Sequence, residues 1–164
     1  MATLSPVTRR RLEIQGFIGV DERLLAQCAP WLRLAFGLCT VVAAIGTALS
    51  SPVVLLALAP VAALGALFPV HPFDLIYNYG IRHITRTPPL PKRGAPSRFA
   101  CGLGSVWLIV TAYLFSTKAM IAGDILGWSL VLIGILVSTI HFCIPSMIFR
   151  AVFGYPERSS SAKG

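Results

Sequence analysis

The chain consists mainly of four long apolar segments separated by short polar stretches. Residues 31–50 carry a single charged side chain, Arg33, and residues 52–70 carry none. Each segment is close to the ~20 residues that a helix needs to cross about 30 Å of hydrocarbon. Because lipid offers the backbone no hydrogen-bond partners, such segments cross it as helices. The pattern predicts an all-α polytopic membrane protein with two helical hairpins, its transmembrane helices covering residues 31–50, 52–70, 99–118 and 124–144.

Composition also indicates that lipid covers much of the surface. Of the 164 residues, 55% are hydrophobic and 12% are charged, about half of the ~25% charged residues in a soluble domain. We expect one transmembrane domain over 31–144, which includes a cytoplasmic loop over 71–98. A cytoplasmic N-terminal segment (1–30) precedes this domain, and a cytoplasmic tail (145–164) follows it.

The N-terminal segment combines two expected parts. Residues 1–20 are expected to be loosely ordered. A short helix is expected to begin after Asp21, which is a favourable N-cap residue, and Glu22 then adds a negative charge beside the positive helix end. Trp31 marks the entry into the membrane, where indole rings favour headgroup depth.

The basic residues predict the orientation of the helices. Lys118 is the only one of the 14 basic residues in a turn opposite to the termini and the loop 71–98. Lys and Arg favour the cytoplasmic side, so both termini are predicted to be cytoplasmic in a bacterial inner membrane. The net charge of +8 is then explained by contact with anionic lipids. No basic run is interleaved with stacking aromatic residues, which argues against nucleic acid as a partner.

The stretch "HPFDLIYNYGIRH", residues 71–83, predicts an elbow where the chain leaves the membrane. Pro72 suits the first position of a helix, and Asp74 suits the first turn. Apolar residues recur on one face, whereas Asp74 and Arg82 lie on the other, which predicts an amphipathic interfacial helix within 72–86. If Asp74 only stabilises the start of this helix, Asp74→Ala is expected to lower the stability of the protein by about 0.5–1 kcal/mol.

Four side chains that can bind metals are predicted to lie at similar depth near the cytoplasmic interface: His71, Cys101, His141 and Cys143. Histidine and thiolate ligands suit zinc or copper, although no CxxC pair is present. The alternatives are inert buried thiols, a reactive Cys143, or haem or another pigment held between His71 and His141. No catalytic constellation is recognisable, and no cofactor follows from the sequence.

The two halves of the chain resemble each other. "RLAFGLCTV" from Arg33 and "RFACGLGSV" from Arg98 share five residues, and His71 and His141 each end a hairpin. Both a duplication and a chance match of apolar helices explain these similarities. Small residues four apart, such as Ala59 and Ala63, predict close helix packing and possible self-association.

Several quoted segments carry a resemblance to a known family: "HPFD…YN", "TPPLP", "GAPSRFAC" and "HFCIPSMIFR". From about Ile14 to Tyr155 the chain resembles the bacterial domain-of-unknown-function family numbered 4395, which contains small inner-membrane proteins. The resemblance implies that Cys101 and Cys143 are family positions. The resemblance also implies a CxxC-like pair near the last helix in many relatives, where this chain has Ser146 in place of the second cysteine.

Two classes of function remain open from the sequence. The membrane interior carries no ionisable residues except cysteines, which argues against an ion-coupled carrier. The main hypothesis is a non-enzymatic accessory or scaffold subunit that binds other membrane proteins or itself. The alternative is a redox or sulfur-handling protein that depends on a metal, a pigment or thiols and uses His71, Cys101, His141 and Cys143.

Overall fold

The computed structural model describes residues 4–154, and in that part of the chain all regular structure is helical. Nine α-helices and one π-helical segment follow one another along it. Their bounds are α1 (Pro6–Ile14), α2 (Glu22–Leu32), α3 (Leu34–Ala48), α4 (Pro52–Leu67), α5 (Pro72–Ile76), the π-helix (Tyr77–Ile81), α6 (Arg82–Thr85), α7 (Ala95–Ser116), α8 (Met120–Ile140) and α9 (Ile144–Phe153).

Within residues 4–154, three helices are long and apolar enough to cross a membrane: α7, α8 and the nearly continuous run of α2 and α3, Glu22–Ala48. A fourth span results if α4 is joined to the segment Pro72–Thr85, which is bent from it by 82°. The all-α prediction is confirmed for residues 4–154, where three to four helices are long and apolar enough to span a membrane.

The helix bounds differ from the predicted ones by a few residues. Helices α7 and α8 begin at Ala95 and Met120, four residues earlier than predicted. Helix α4 ends at Leu67, because Phe68 adopts an extended conformation before the elbow. The run into α3 begins as predicted with Asp21 as N-cap, whose carboxylate accepts hydrogen bonds from the amides of Arg23 and Leu24.

Contacts between the two hairpins hold the bundle together. Helix α4 packs most extensively on α7, and α3 packs on α8. An arginine at the start of each hairpin reaches the end of the other one. Arg33 donates from Nε to His141 Nε2 at 2.7 Å, and Arg98 donates to the carbonyls of Ala66 and Leu67 at 2.8 and 2.6 Å. Arg33 and Arg98 are also the first residues of the two similar sequence segments, so the two halves make corresponding contacts.

The N-terminal part is more ordered than predicted. Residues 6–14 form α1, whose first turn is capped by Ser5, so the expectation of loose order over residues 1–20 is wrong for them. Leu12 is fully buried, and Gln15 donates to the carbonyl of His141 at 2.8 Å. The chain folds here because α1 has neighbours at the end of the bundle, which a local pattern does not reveal.

The predicted tail also contains an additional helix. Helix α9 packs on α7, and its Arg150 donates to the backbone carbonyls of Glu13 and Ile14 at the end of α1. The first and last described helices are therefore joined directly. The predicted tail after residue 154 lies outside the described residues.

Candidate functional site

The elbow begins as the sequence predicts, and it also orients a histidine. Pro72 occupies the first turn of α5, and Asp74 accepts a hydrogen bond from the amide of His71 at 3.2 Å. His71 Nδ1 accepts from the amide of Phe73 at 3.2 Å. This reciprocal capping fixes the His71 ring. Its Nε2 then faces the Sγ of Cys39 at 3.8 Å.

Asp74 is buried, whereas the amphipathic pattern placed it on the polar face of the interfacial helix. Its carboxylate is held by Arg93, from Nε at 2.7 Å and from Nη2 at 2.8 Å. The Arg93 guanidinium also lies over the ring of Phe36, 4.8 Å from its centroid. Burial alone would lower the pKa of Arg93, but the hydrogen bonds and charge of Asp74 outweigh burial and raise it. A charged pair is thus accommodated inside the fold.

Arg82, the other predicted elbow residue, has no part in this pair. It is half-buried at the end of the π-helix, where its Nε lies 3.5 Å from Nε2 of His83. The predicted interfacial helix is therefore a short α-helix, a π-helical turn and a second short α-helix, over residues 72–85.

A cavity of about 100 Å³ lies inside the bundle, next to the elbow. Helices α3, α4, α7 and α8 surround it, and most of its walls are apolar. Its polar or thiol-bearing wall residues are Cys39, Thr40, His71, Cys101 and Cys143. The structure thus brings three of the four predicted residues to one cavity and adds Cys39, which the sequence did not single out.

Cys143 lies at the junction of α8 and α9. It is the N-cap residue of α9, and its Sγ accepts a hydrogen bond from the hydroxyl of Ser146 at 3.0 Å. Burial raises the pKa of the Cys143 thiol, and the hydrogen bonds with Ser146 and the charge of Arg93 oppose this rise. Ser146, three residues after Cys143, is therefore in direct contact with its thiol.

His141 lies outside the wall of this cavity. It ends α8 in a left-handed conformation, with φ of 56°, and its Nε2 accepts from Arg33. Burial lowers its pKa to about 4, with the charges of Arg33 and Arg11 acting in the same direction. Haem or pigment held jointly by His71 and His141 stays a prediction, and the two rings do not share the cavity described here.

The arrangement bears on the metal prediction as well. Among residues 4–154, no group of three or more histidine, cysteine, aspartate or glutamate side chains is placed to hold a metal ion. His71 Nδ1 is already used by a backbone amide, and Cys143 is bonded to Ser146. Zinc or copper at His71, Cys101, His141 and Cys143 stays a prediction for analysis of the purified protein.

The partner of Asp74 does not follow from the sequence alone. Arg93 is one of several basic residues in the loop 71–98, and nothing in the local pattern distinguishes it. One signal was available, because Asp74 is the only acidic residue between positions 23 and 123. A lone carboxylate beside an apolar segment requires a cation if it is buried. Which of the loop cations supplies the charge depends on the path of the loop.

Comparison with known proteins agrees with the resemblance seen in the sequence motifs. The family model described as "Domain of unknown function (DUF4395)" matches residues 29–153, which include the elbow, the cavity and all of α9. No curated protein and no solved structure matches the chain. Since the match covers well over half of the sequence, the chain belongs to the DUF4395 family.

Proposed function

We propose that this chain is a non-enzymatic accessory or scaffold subunit of a larger assembly in a bacterial inner membrane. Both termini and the loop 71–98 lie on the cytoplasmic side in this proposal, in contact with anionic lipids. The basic residues on the side of the termini and the loop support this orientation, since cytoplasmic loops are rich in Lys and Arg.

Trp128 carries the proposal of a protein partner. It lies near the middle of α8 (Met120–Ile140), and 46% of its surface is exposed. A tryptophan that faces only lipid favours the headgroup level, whereas tryptophan is enriched at the centres of protein interfaces. Trp128 belongs to an exposed apolar stripe on α8 made of Ile121, Ile125, Trp128 and Leu132. This α8 stripe is the proposed contact surface.

The test is native mass spectrometry after gentle detergent extraction from the native host. We expect the chain to be recovered with a second membrane protein or with a second copy of itself. The double variant Ile125→Ala, Leu132→Ala is expected to be recovered alone. The matched control Val53→Ala, Leu56→Ala changes exposed residues of α4 and should keep the complex. A wild-type chain that is strictly monomeric would contradict the proposal.

A second candidate function is thiol-dependent redox or sulfur chemistry. The observation in its favour is that Cys39, Cys101 and Cys143 line one cavity together with His71. Elemental analysis and the visible spectrum of the purified protein test for a metal or a pigment. Alkylation with a membrane-permeant maleimide, followed by mass spectrometry, tests for reactive thiols. Rapid labelling of Cys143 would favour this candidate, whereas four inert cysteines and a colourless, metal-free protein would exclude it.

A further inference from the structure

The cavity beside the elbow is less well covered on the side formed by α7 and α8 than on its inner side. Its inner wall includes buried residues such as Leu58 and Ala62, whereas the residues that α7 and α8 add to it are largely half-buried: Leu103, Gly104, Trp107, Leu130 and Ile133. A Cβ placed on Gly104 would meet nothing within 4 Å. Because α7 and α8 are both suited to cross a membrane, this less covered side is the one from which a guest dissolved in the bilayer would enter.

The walls of the cavity are suited to a neutral, apolar guest. None of the described residues that line it is an aspartate, glutamate, lysine or arginine. The indole of Trp107 is one wall, and its Nε1 is already bonded to the carbonyl of Leu126 at 3.0 Å. The volume, about 100 Å³, is of the order of the ~150 Å³ apolar cavity that binds benzene in another protein. A single ring therefore matches its size.

His71 supplies one directional group to this apolar space. The backbone amide N–H of Phe73 can only donate a hydrogen bond, so the Nδ1 of His71 that accepts from it carries no proton. A neutral ring in that state carries its proton on Nε2. The acceptor nearest to this Nε2–H is the Sγ of Cys39 at 3.8 Å, and thiol sulfur is a weak acceptor. His71 is only 2% exposed, so water does not readily reach Nε2 to act as a stronger acceptor.

We propose that this cavity binds a neutral, bilayer-soluble carbonyl compound with a ring of quinone size, whose oxygen accepts a hydrogen bond from His71 Nε2. The guest enters between α7 and α8, its ring lies beside Trp107, and its oxygen replaces Cys39 as the acceptor. A carbonyl fits because His71 Nε2, the N–H donor that faces only a weak acceptor in the described wall, requires a stronger one, and the remaining walls require an uncharged, apolar body. The site does not depend on the accessory role.

Quenching of Trp107 fluorescence by 2,6-dimethyl-1,4-benzoquinone, a quinone with one small ring, tests the proposal in the purified full-length chain. Combining Trp31→Phe and Trp128→Phe leaves Trp107 as the single tryptophan of the chain. We expect quenching that saturates with the quinone concentration. A bromoalkane of similar size quenches tryptophan but has no carbonyl, and it should quench in proportion to its partition into the micelle, without saturation.

Two variants examine the opening and the donor separately. Gly104→Leu fills the opening where the structure has free space. His71→Asn keeps an N-cap side chain for α5 but is too short to donate into the cavity. Each should weaken quinone binding about tenfold or more, the effect of one lost hydrogen bond or of a blocked site. His83→Asn and Gly80→Leu, both at exposed positions, are the matched controls and should bind as the parent does.

Thermal unfolding of each variant shows whether it still folds. Quenching that does not saturate, or equal quinone affinity in the parent and in a folded Gly104→Leu, would overturn the proposal. Saturable binding of the bromoalkane with the same affinity as the quinone would overturn the role of the carbonyl. Neither result would bear on the accessory role, whose test is recovery of a complex.

Discussion

Arg93 and Asp74 form a two-point ion pair inside the protein, with N–O distances of 2.7 and 2.8 Å and side chains that are only 1% and 4% exposed. The pair joins the loop before α7 to the first turn of α5. The amide of Arg93 also donates to the carbonyl of Pro69 at 2.8 Å. The elbow is therefore held from both sides, by its own capping residues and by the far end of the loop.

Removing one partner of this pair should destabilise the protein strongly. Arg93→Met leaves the Asp74 carboxylate buried without its cation, and such a loss costs about 3–5 kcal/mol. The free energy of unfolding, measured in mixed micelles with increasing denaturing detergent, gives the effect. The same reasoning raises the expected cost of Asp74→Ala above the 0.5–1 kcal/mol or so that capping alone implies.

An exposed ion pair in the same chain provides the control. Arg9 and Glu22 are 2.9 Å apart with side chains 46% and 50% exposed, and Arg9→Met should cost less than about 1 kcal/mol. The double variant Asp74→Leu, Arg93→Met should recover part of the loss. Equal costs for Arg93→Met and Arg9→Met would show that the buried pair has no special role.

Protonation of His141 should make the folded state less stable in acid. Its pKa is lowered from 6.5 to about 4 in the folded state, chiefly by burial and also by Arg33 and Arg11. Between these two values the unfolded chain binds more protons than the folded chain. The contribution of neutral His141 to the free energy of unfolding is therefore complete above pH ~6.5 and is lost as the pH falls towards ~4. Unfolding midpoints at about pH 7.5 and pH 5 measure the difference.

His141→Asn should reduce this pH dependence, because asparagine tolerates the left-handed backbone of position 141 and does not titrate. The remaining dependence includes that of His71, the other buried histidine. His83 is exposed on α6, and His83→Asn should leave the pH profile as it is. An unchanged profile in His141→Asn would refute the assignment.

Close packing of α3 on α8 should make Gly127 intolerant of a side chain. A Cβ there would lie 2.5 Å from both Cγ2 and Oγ1 of Thr47. Gly127→Ala should therefore cost about 1–3 kcal/mol, the usual range for overpacking. Gly104→Ala, where a Cβ meets open space, should be neutral or slightly stabilising because alanine favours a helix. Unfolding free energies of the two variants provide the comparison.

Thr47→Ala should largely rescue Gly127→Ala, since it removes the two atoms nearest to the new Cβ and leaves only the Thr47 Cβ, at 3.1 Å. The Thr47 hydroxyl is buried without a hydrogen-bond partner, so its loss leaves no other group unpaired. The rescued double variant should be more stable than Gly127→Ala alone. Purely additive costs would indicate that the two residues do not oppose each other.

Labelling of single cysteines tests the proposed orientation. Lys92 and Thr117 are exposed and lie on opposite sides of the membrane in the predicted topology, so both positions suit a cysteine label. In a chain without its own cysteines, a membrane-impermeant maleimide added to intact cells should label Thr117→Cys and spare Lys92→Cys. The reverse pattern would show that the termini face outwards.

The length of the apolar segments was sufficient to predict the helices, because lipid leaves the backbone no alternative to internal hydrogen bonds. The same argument explains the errors at the edges. Helices α1 and α9 are too short or too polar to predict from length and apolarity, and they are stabilised by each other through Arg150. Contacts between segments more than a hundred residues apart leave no periodic signal in either one.

The sequence by itself determined the helical class, the family and the local start of the elbow at Pro72 and Asp74. These follow from backbone hydrogen bonding in lipid and from contacts over two or three residues. Only the tertiary structure decided that Asp74 is paired with Arg93, that Cys39 joins Cys101 and Cys143 around one cavity, and that His141 binds Arg33 elsewhere. Helix rotation and loop path place these side chains, and both depend on how the whole bundle packs.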